Sequence, residues 1–144
     1  MRDQDRPRGS PWKAVLFGVL TDIVGTSAAS VILSLIWGVV LAAGGASAED
    51  IMEAAGNIDP TSTVAMISYV IGAAFSFLGG YVCARVARHD ELKWGSIVAL
   101  ISMAFGFAVS SGAQSTELNV LLSILSIVAV MAGAWLGARH NQRG

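Results

Sequence analysis

Residues 14–44 read AVLFGVLTDIVGTSAASVILSLIWGVVLAAG, and from Ala14 to Ala43 the only formal charge is Asp22. A helix needs about 20 apolar residues to cross a hydrocarbon core of about 30 Å. This run is longer, which predicts a membrane-spanning helix that tilts or projects past the bilayer. Within it Gly18, Asp22, Thr26, Ser30, Ser34 and Gly38 recur every fourth residue. Steps of four keep side chains near one helix face, with a slow drift around the axis. That face is small and polar, while Leu16, Leu20, Ile23, Val24, Val31 and Leu35 cover the others. In lipid, such a stripe belongs against another helix, because small side chains let backbones approach and hydroxyls bond across.

Asp22 lies two to three turns beyond the basic flank at Lys13. An ionised carboxylate there costs roughly 2.5–3.5 kcal/mol, so an intramembrane acid marks a functional site by default. Two readings are open. In one, Asp22 exchanges a proton or ion, and Thr26, Ser30 and Ser34 line the route. In the other, Asp22 is packing glue, bonded to Thr21, Thr26 or a neighbouring serine. No basic residue falls in any span to neutralise it.

Three further apolar stretches follow. The four predicted spans are 14–43, 63–84, 94–111 and 118–138. They lie between a polar N-terminal arm, 1–13, and a basic tail, 139–144. The second span repeats the small spacing with Gly72, Ser76 and Gly80, the third with Ser102, Gly106 and Ser110, and the fourth with Ala129, Gly133 and Gly137. The expected architecture is all-α, a membrane four-helix bundle packed through these small residues. Ser10 before Pro11 reads as a helix cap with proline in the first turn, and Trp12 suits the headgroup level. Asp59-Pro60-Thr61 reads as the start of the second span. Gly44-Gly45 breaks the first helix. Residues 46–63 form the one sizeable loop, where Ser47 and Asp50 predict the cap of a short helix through Ala55, stopped by Gly56-Asn57. Ile51, Met52 and Ile58 suit that helix to a membrane surface. The short turn before residue 94 forces the second and third spans into an antiparallel hairpin.

Charge sets the orientation. All nine Lys and Arg residues fall in the N-terminal arm, the central turn and the C-terminal tail. Arg85, Arg88, Lys93 and Arg139 are the expected anchors. The loop 46–63 carries Glu49, Asp50, Glu53 and Asp59 and no basic residue, and the turn before 118 carries only Glu117. The positive-inside rule then predicts both termini in the cytoplasm of a bacterial inner membrane. The apolar run is about twice the 7–15 residues of a signal-peptide core, so an uncleaved anchor is expected.

Composition narrows the function classes. The chain is 54 % apolar with a net charge of −1, which gives a nucleic-acid partner no electrostatic footprint. The one cysteine, Cys83, allows no internal disulfide. His89 and His140 lack zinc spacing, and no Ser-His-Asp set or acid pair stands out. No enzyme, metal or cofactor is therefore expected. The partners expected are the lipid bilayer and either a second copy of the chain or another membrane protein.

The ends of the second and fourth spans correspond. Gly79-Gly80-Tyr81-Val82-Cys83-Ala84-Arg85 aligns with Gly133-Ala134-Trp135-Leu136-Gly137-Ala138-Arg139. This suggests a parallel repeat of two hairpins, an arrangement that occurs in transporters.

Two resemblances add to this reading. The segment from Gly79-Gly80-Tyr81 through Ala84-Arg85 to Trp94-Gly95 resembles that of small bacterial four-span inner-membrane proteins of uncharacterised function. It covers roughly residues 78–100 and implies fold and location alone. The run Asp22-Ile23-Val24-Gly25-Thr26-Ser27 resembles the acidic segment of small multidrug resistance transporters, whose membrane-embedded glutamate exchanges protons for cationic drugs. That likeness implies a proton and substrate carboxylate at Asp22, with Gly25 and Thr26 as packing neighbours. The acid here is Asp rather than Glu, and the first loop is long. The leading expectation is a small polytopic membrane protein in an accessory, packing or oligomeric role. The alternative is a proton-coupled transporter of small solutes or ions built on Asp22.

Overall fold

A computed structural model describes residues 9–110 and 115–143. The arm residues 1–8, the turn residues 111–114 and Gly144 lie outside the described residues, including the expected end of the third span at Ser111. The described chain is helical: α1 spans Pro11–Ala43, α2 Ala48–Gly56, α3 Thr63–Ala87, α4 Glu91–Ser110 and α5 Thr116–Arg143. Four of these, all but α2, are long and apolar enough to cross a membrane. The protein is an all-α, multi-pass four-helix bundle.

The helix ends follow local chemistry. Proline at the first position starts α1, but the Ser10 side chain makes no capping bond, and only its carbonyl accepts from Ala14 N–H at 3.0 Å. Proline's fixed φ suits that position, so no cap is needed to begin the turn. Ser47 and Asp50 form a reciprocal capping box at the start of α2. These bonds hold the Asp50 carboxyl below the usual carboxylate range. Ser62, not Asp59, caps α3 by accepting from Ala65 N–H at 3.2 Å. Asp59 instead folds the preceding turn, accepting from the N–H and hydroxyl of Thr61, and those bonds pull its carboxyl down as well. Arg88 ends α3 in the left-handed region, with φ 56°.

Helix α3 is the central element. It packs on α1, α4 and α5, whereas α1 and α5 do not meet. Gly79 faces α1: a Cβ there would lie 2.7 Å from the Gly18 carbonyl oxygen and 2.9 Å from the Asp22 Cβ. Gly80 faces α5, where a Cβ would run into the Val130 carbonyl. Gly133 returns that contact against the Phe77 carbonyl, and Gly137 lies against Ala84 and the Tyr81 carbonyl. Gly95 brings α4 against Ala134 of α5. Gly72 makes only ordinary contact with Thr26. Gly106, read as a packing position, stands over open space, because its end of α4 has splayed away from the neighbours that would crowd it.

Burial is concentrated at one end of the bundle, with Ala65 buried near the other. Ala14, Val15, Cys83, Ala87, Val98, Ala99 and Val130 form the core. Lys13, Arg85, Arg88, Lys93 and Arg139 are exposed around this same end. There the Arg85 guanidinium donates to Asn141 at 3.0 Å, and Asn141 donates to the Ala84 carbonyl and to Glu91. Arg139 lies 4.9 Å over the Trp135 ring. Trp12 projects outward, 80 % exposed. The matched segments of α3 and α5 do pack side by side, but the correspondence between hairpins is incomplete, since α3 touches α4 while α1 does not touch α5.

Gly80→Ala and Gly133→Ala should each destabilise the bundle by about 1–3 kcal/mol, because the added methyl meets immovable backbone. Gly106→Ala should be neutral or mildly stabilising, since it meets nothing and removes a helix glycine. Unfolding in detergent micelles, followed by circular dichroism, checks the contrast. At the α2 cap, Ser47→Ala should speed exchange of the Asp50 and Ile51 amides several-fold. A folding-lowered carboxyl stabilises above its ordinary value of 3.8, and the cap should be lost as pH falls through the lowered one. Hydrogen exchange across an acid series reads both effects.

Candidate functional site

Beyond the packed end the four spans diverge. Between them opens a cleft of about 580 Å³, lined by α1, α3, α4 and α5. Asp22 lies at its closed end, 4 % exposed. It stands nine residues beyond Lys13, about 14 Å along the helix at 1.5 Å per residue. That depth is near the middle of a hydrocarbon core of about 30 Å.

The close approach at Gly79 positions Asp22 against α3. Ser76, one turn before Gly80 and 5 % exposed, donates its hydroxyl to Asp22 Oδ1 at 2.9 Å. Ser76 and Ser126 Oγ are 3.1 Å apart. A hydroxyl has one hydrogen, so Ser126 donates to Ser76 while Ser76 donates to Asp22. This chain ties α5 to α3 to α1 across the cleft floor. Ser76 is therefore more than the packing residue its spacing suggests. Ser126 was not singled out in the sequence, although it lies seven residues before Gly133, two helical turns along the same face.

Two hydroxyls in the cleft behave differently. Thr21, Ser68, Ser96 and Ser123 each donate back to the carbonyl four residues earlier, at 2.7–2.9 Å. Such back-bonding is the ordinary way a helix satisfies a hydroxyl in an apolar setting. Thr26 Oγ1 and Ser102 Oγ are buried and make no such bond, nor any other with the protein. Their residues line the Asp22 cleft, but the two oxygens are themselves closed off from it. Trp94 Nε1 shares their lack of a partner but does not line the cleft.

Of the sequence candidates, Asp22, Thr26 and Ser30 line the cleft and Ser34 does not. Ser34 lines a smaller hollow of about 200 Å³ with Ser30, Trp37, Gly38, Ile51 and Ser68. Ser30 and Ser68 border both spaces. Ile51 and Ala55 of α2 face the hollow, and Met52 remains exposed. The acidic loop that carries α2 thus lies over this hollow at the C-terminal end of α1. Tyr69 and Phe105 supply aromatic walls, which the sequence reading did not identify. The small-residue spacing could not find them, because neither is small.

This arrangement can hold a proton or a cation. A carboxylate in a low-dielectric setting, bonded to one hydroxyl and facing no basic side chain, lacks a compensating positive charge. Among the described residues no Lys, Arg or His lines the cleft. The chain matches no protein-family model, no curated protein and no solved structure.

Proposed function

We propose that this is a small multi-pass protein of the bacterial inner membrane, with both termini cytoplasmic, that takes up a proton or small cation at Asp22 as part of solute or ion transport. The observation that carries the reading is the place of Asp22: a buried carboxylate at the closed end of a hydroxyl-lined cleft, without a basic partner. Packing alone would be served by the Ser76–Ser126 hydroxyl pair, without the desolvation cost of a carboxyl. Glu49, Asp50, Glu53 and Asp59 give the outer loop a negative field that concentrates cations at the mouth. The orientation rests on the basic residues at the packed end. The reading is non-enzymatic and requires no cofactor.

A second reading is favoured by the glycine seams, Gly18 with Gly79 and Gly80 with Gly133. In it the protein is an accessory or oligomeric component, with a second copy of the chain or another membrane protein seated on its spans. The two readings share one assembly, because four spans enclose little volume and transport by this fold requires a second copy to complete the wall. Recovery of the chain from the membrane as a solitary monomer would count against the assembly in either form.

Asp22→Asn keeps an acceptor for Ser76, so the variant should fold. In liposomes under a pH gradient, the wild type should pass protons or take up cations, and Asp22→Asn should lower that flux at least tenfold. Equal, near-zero flux in both would return Asp22 to a packing role.

A further inference from the structure

We propose that the packed end of the bundle is a docking surface for the headgroups of anionic phospholipids, with Arg88, Lys93 and Arg139 as its chief cations. The surface is separate from the cleft, and the proposal is independent of Asp22. The four helix ends at this level are tied into one platform. The Gly9 N–H donates to the Ala87 carbonyl at 3.1 Å, which holds the start of α1 beside the end of α3. The Arg85 guanidinium donates to Asn141 at 3.0 Å, and Asn141 donates to Glu91 at 3.2 Å, which joins α3, α5 and α4. Lys13, Arg85, Arg88, Lys93, Arg139 and Arg143 are exposed around this platform. Among the described residues only Asp90 and Glu91 oppose them there, so this end carries a net positive charge.

The partners that these cations have are neutral. Arg85 bonds the amide oxygen of Asn141, Lys93 Nζ lies 5.7 Å from the centre of the Trp94 ring, and Arg139 lies 4.9 Å from that of Trp135. Among the described residues none of them is paired with a carboxylate. Their charge therefore remains available to an external anion.

Depth identifies that anion. An aromatic ring accompanies a cation on every span at this end: Trp12 with Lys13 on α1, Tyr81 with Arg85 on α3, Trp94 with Lys93 on α4 and Trp135 with Arg139 on α5. Trp and Tyr settle at headgroup level, with the polar edge wet and the apolar body towards the acyl chains. Trp12 is 80 % exposed and Trp135 52 % exposed, so both rings face outward, where lipid lies. The cations beside them stand at the level of the lipid phosphates. A zwitterionic headgroup neutralises its phosphate with its own ammonium. An anionic headgroup does not, and it leaves a net charge for Lys and Arg to answer.

The turn between α3 and α4 adds a second observation. Arg88 has φ 56° and Asp90 φ 46°. Glycine enters that left-handed region freely, and residues with a Cβ enter it at a cost. Glycine is also the usual residue where a helix ends in this way. The chain places an exposed arginine there instead, a cation kept where backbone preference argues against it. The surface acts through summed charge rather than one enclosed pocket, and each Lys or Arg that meets a headgroup strengthens association by about fivefold.

The test uses the full-length chain reconstituted in phosphatidylcholine vesicles with a trace of spin-labelled phosphatidylglycerol or spin-labelled phosphatidylcholine. Electron paramagnetic resonance reads the fraction of label immobilised by the protein. Phosphatidylglycerol should associate at least about twofold more strongly, and the preference should vanish at about 1 M NaCl, where charges are screened within about 3 Å. Arg139→Gln should lower the preference. Arg88→Gly should lower it too while melting no lower than the wild type, because glycine relieves the left-handed turn. The triple variant Arg88→Gly, Lys93→Gln, Arg139→Gln should show no preference. Equal association of the two lipids, a preference that survives salt, or one that survives the triple variant overturns the proposal. Should the triple variant fail to fold, the salt response of the wild type and the loss in Arg139→Gln alone decide the matter.

Discussion

Two adjacent glycines on one helix hold this bundle together. Successive residues on an α-helix point about 100° apart, so Gly79 and Gly80 address different neighbours. Gly79 admits the backbone of α1, and Gly80 admits that of α5. In lipid the apolar side chains gain nothing by leaving one hydrocarbon for another, so attraction rests on close packing and on hydrogen bonds. Backbones can approach this closely only where side chains are absent. Helix α3 thereby becomes the spine, and α1 and α5 attach to it without touching one another.

The openness of the far half follows from the same seam. The close approaches gather at the end that carries Cys83, Ala87, Val98 and Val130, and no equivalent seam exists beyond Ser76. At Gly25 the ring of Phe75 lies against α1, and at Gly72 the contact loosens to van der Waals distance. Helices pinned at one end and spaced by larger groups at the other must diverge. The cleft is the space they leave. Asp22 occurs where the seam stops, close enough to α3 to accept from Ser76 and far enough along to face the opening.

Much of this was legible in the sequence, and the exceptions have geometric causes. The apolar runs announced the four spanning helices, and the Ser47–Asp50 spacing announced α2. Asp22, Thr26 and Ser30 share the cleft as their spacing implies. Ser34 does not, because each step of four overshoots a full turn by about 40°, and three steps from Asp22 turn a side chain through about 120°. The pattern that groups neighbours therefore separates its own ends. Gly106 fits the spacing on α4 but lies at the splayed end, and no local pattern reports how far apart two helices stand. Ser126 and the walls at Tyr69 and Phe105 depend on which helices become neighbours, which periodicity within one span does not encode.

The polarity of the molecule gives the cleft its direction. Its basic residues ring the packed end, where helix ends are tied by Arg85, Asn141 and Glu91. Its loop acids lie at the other end, on the segment whose Ile51, Ala55 and Ile58 line the smaller hollow. Beyond Asp22 the cleft is closed by Gly18, Gly79, Cys83 and Val98 in close contact. The Gly18–Gly79 seam is also what holds Asp22 within reach of Ser76. The contact that closes the cleft is therefore the one that carries the Asp22–Ser76 bond.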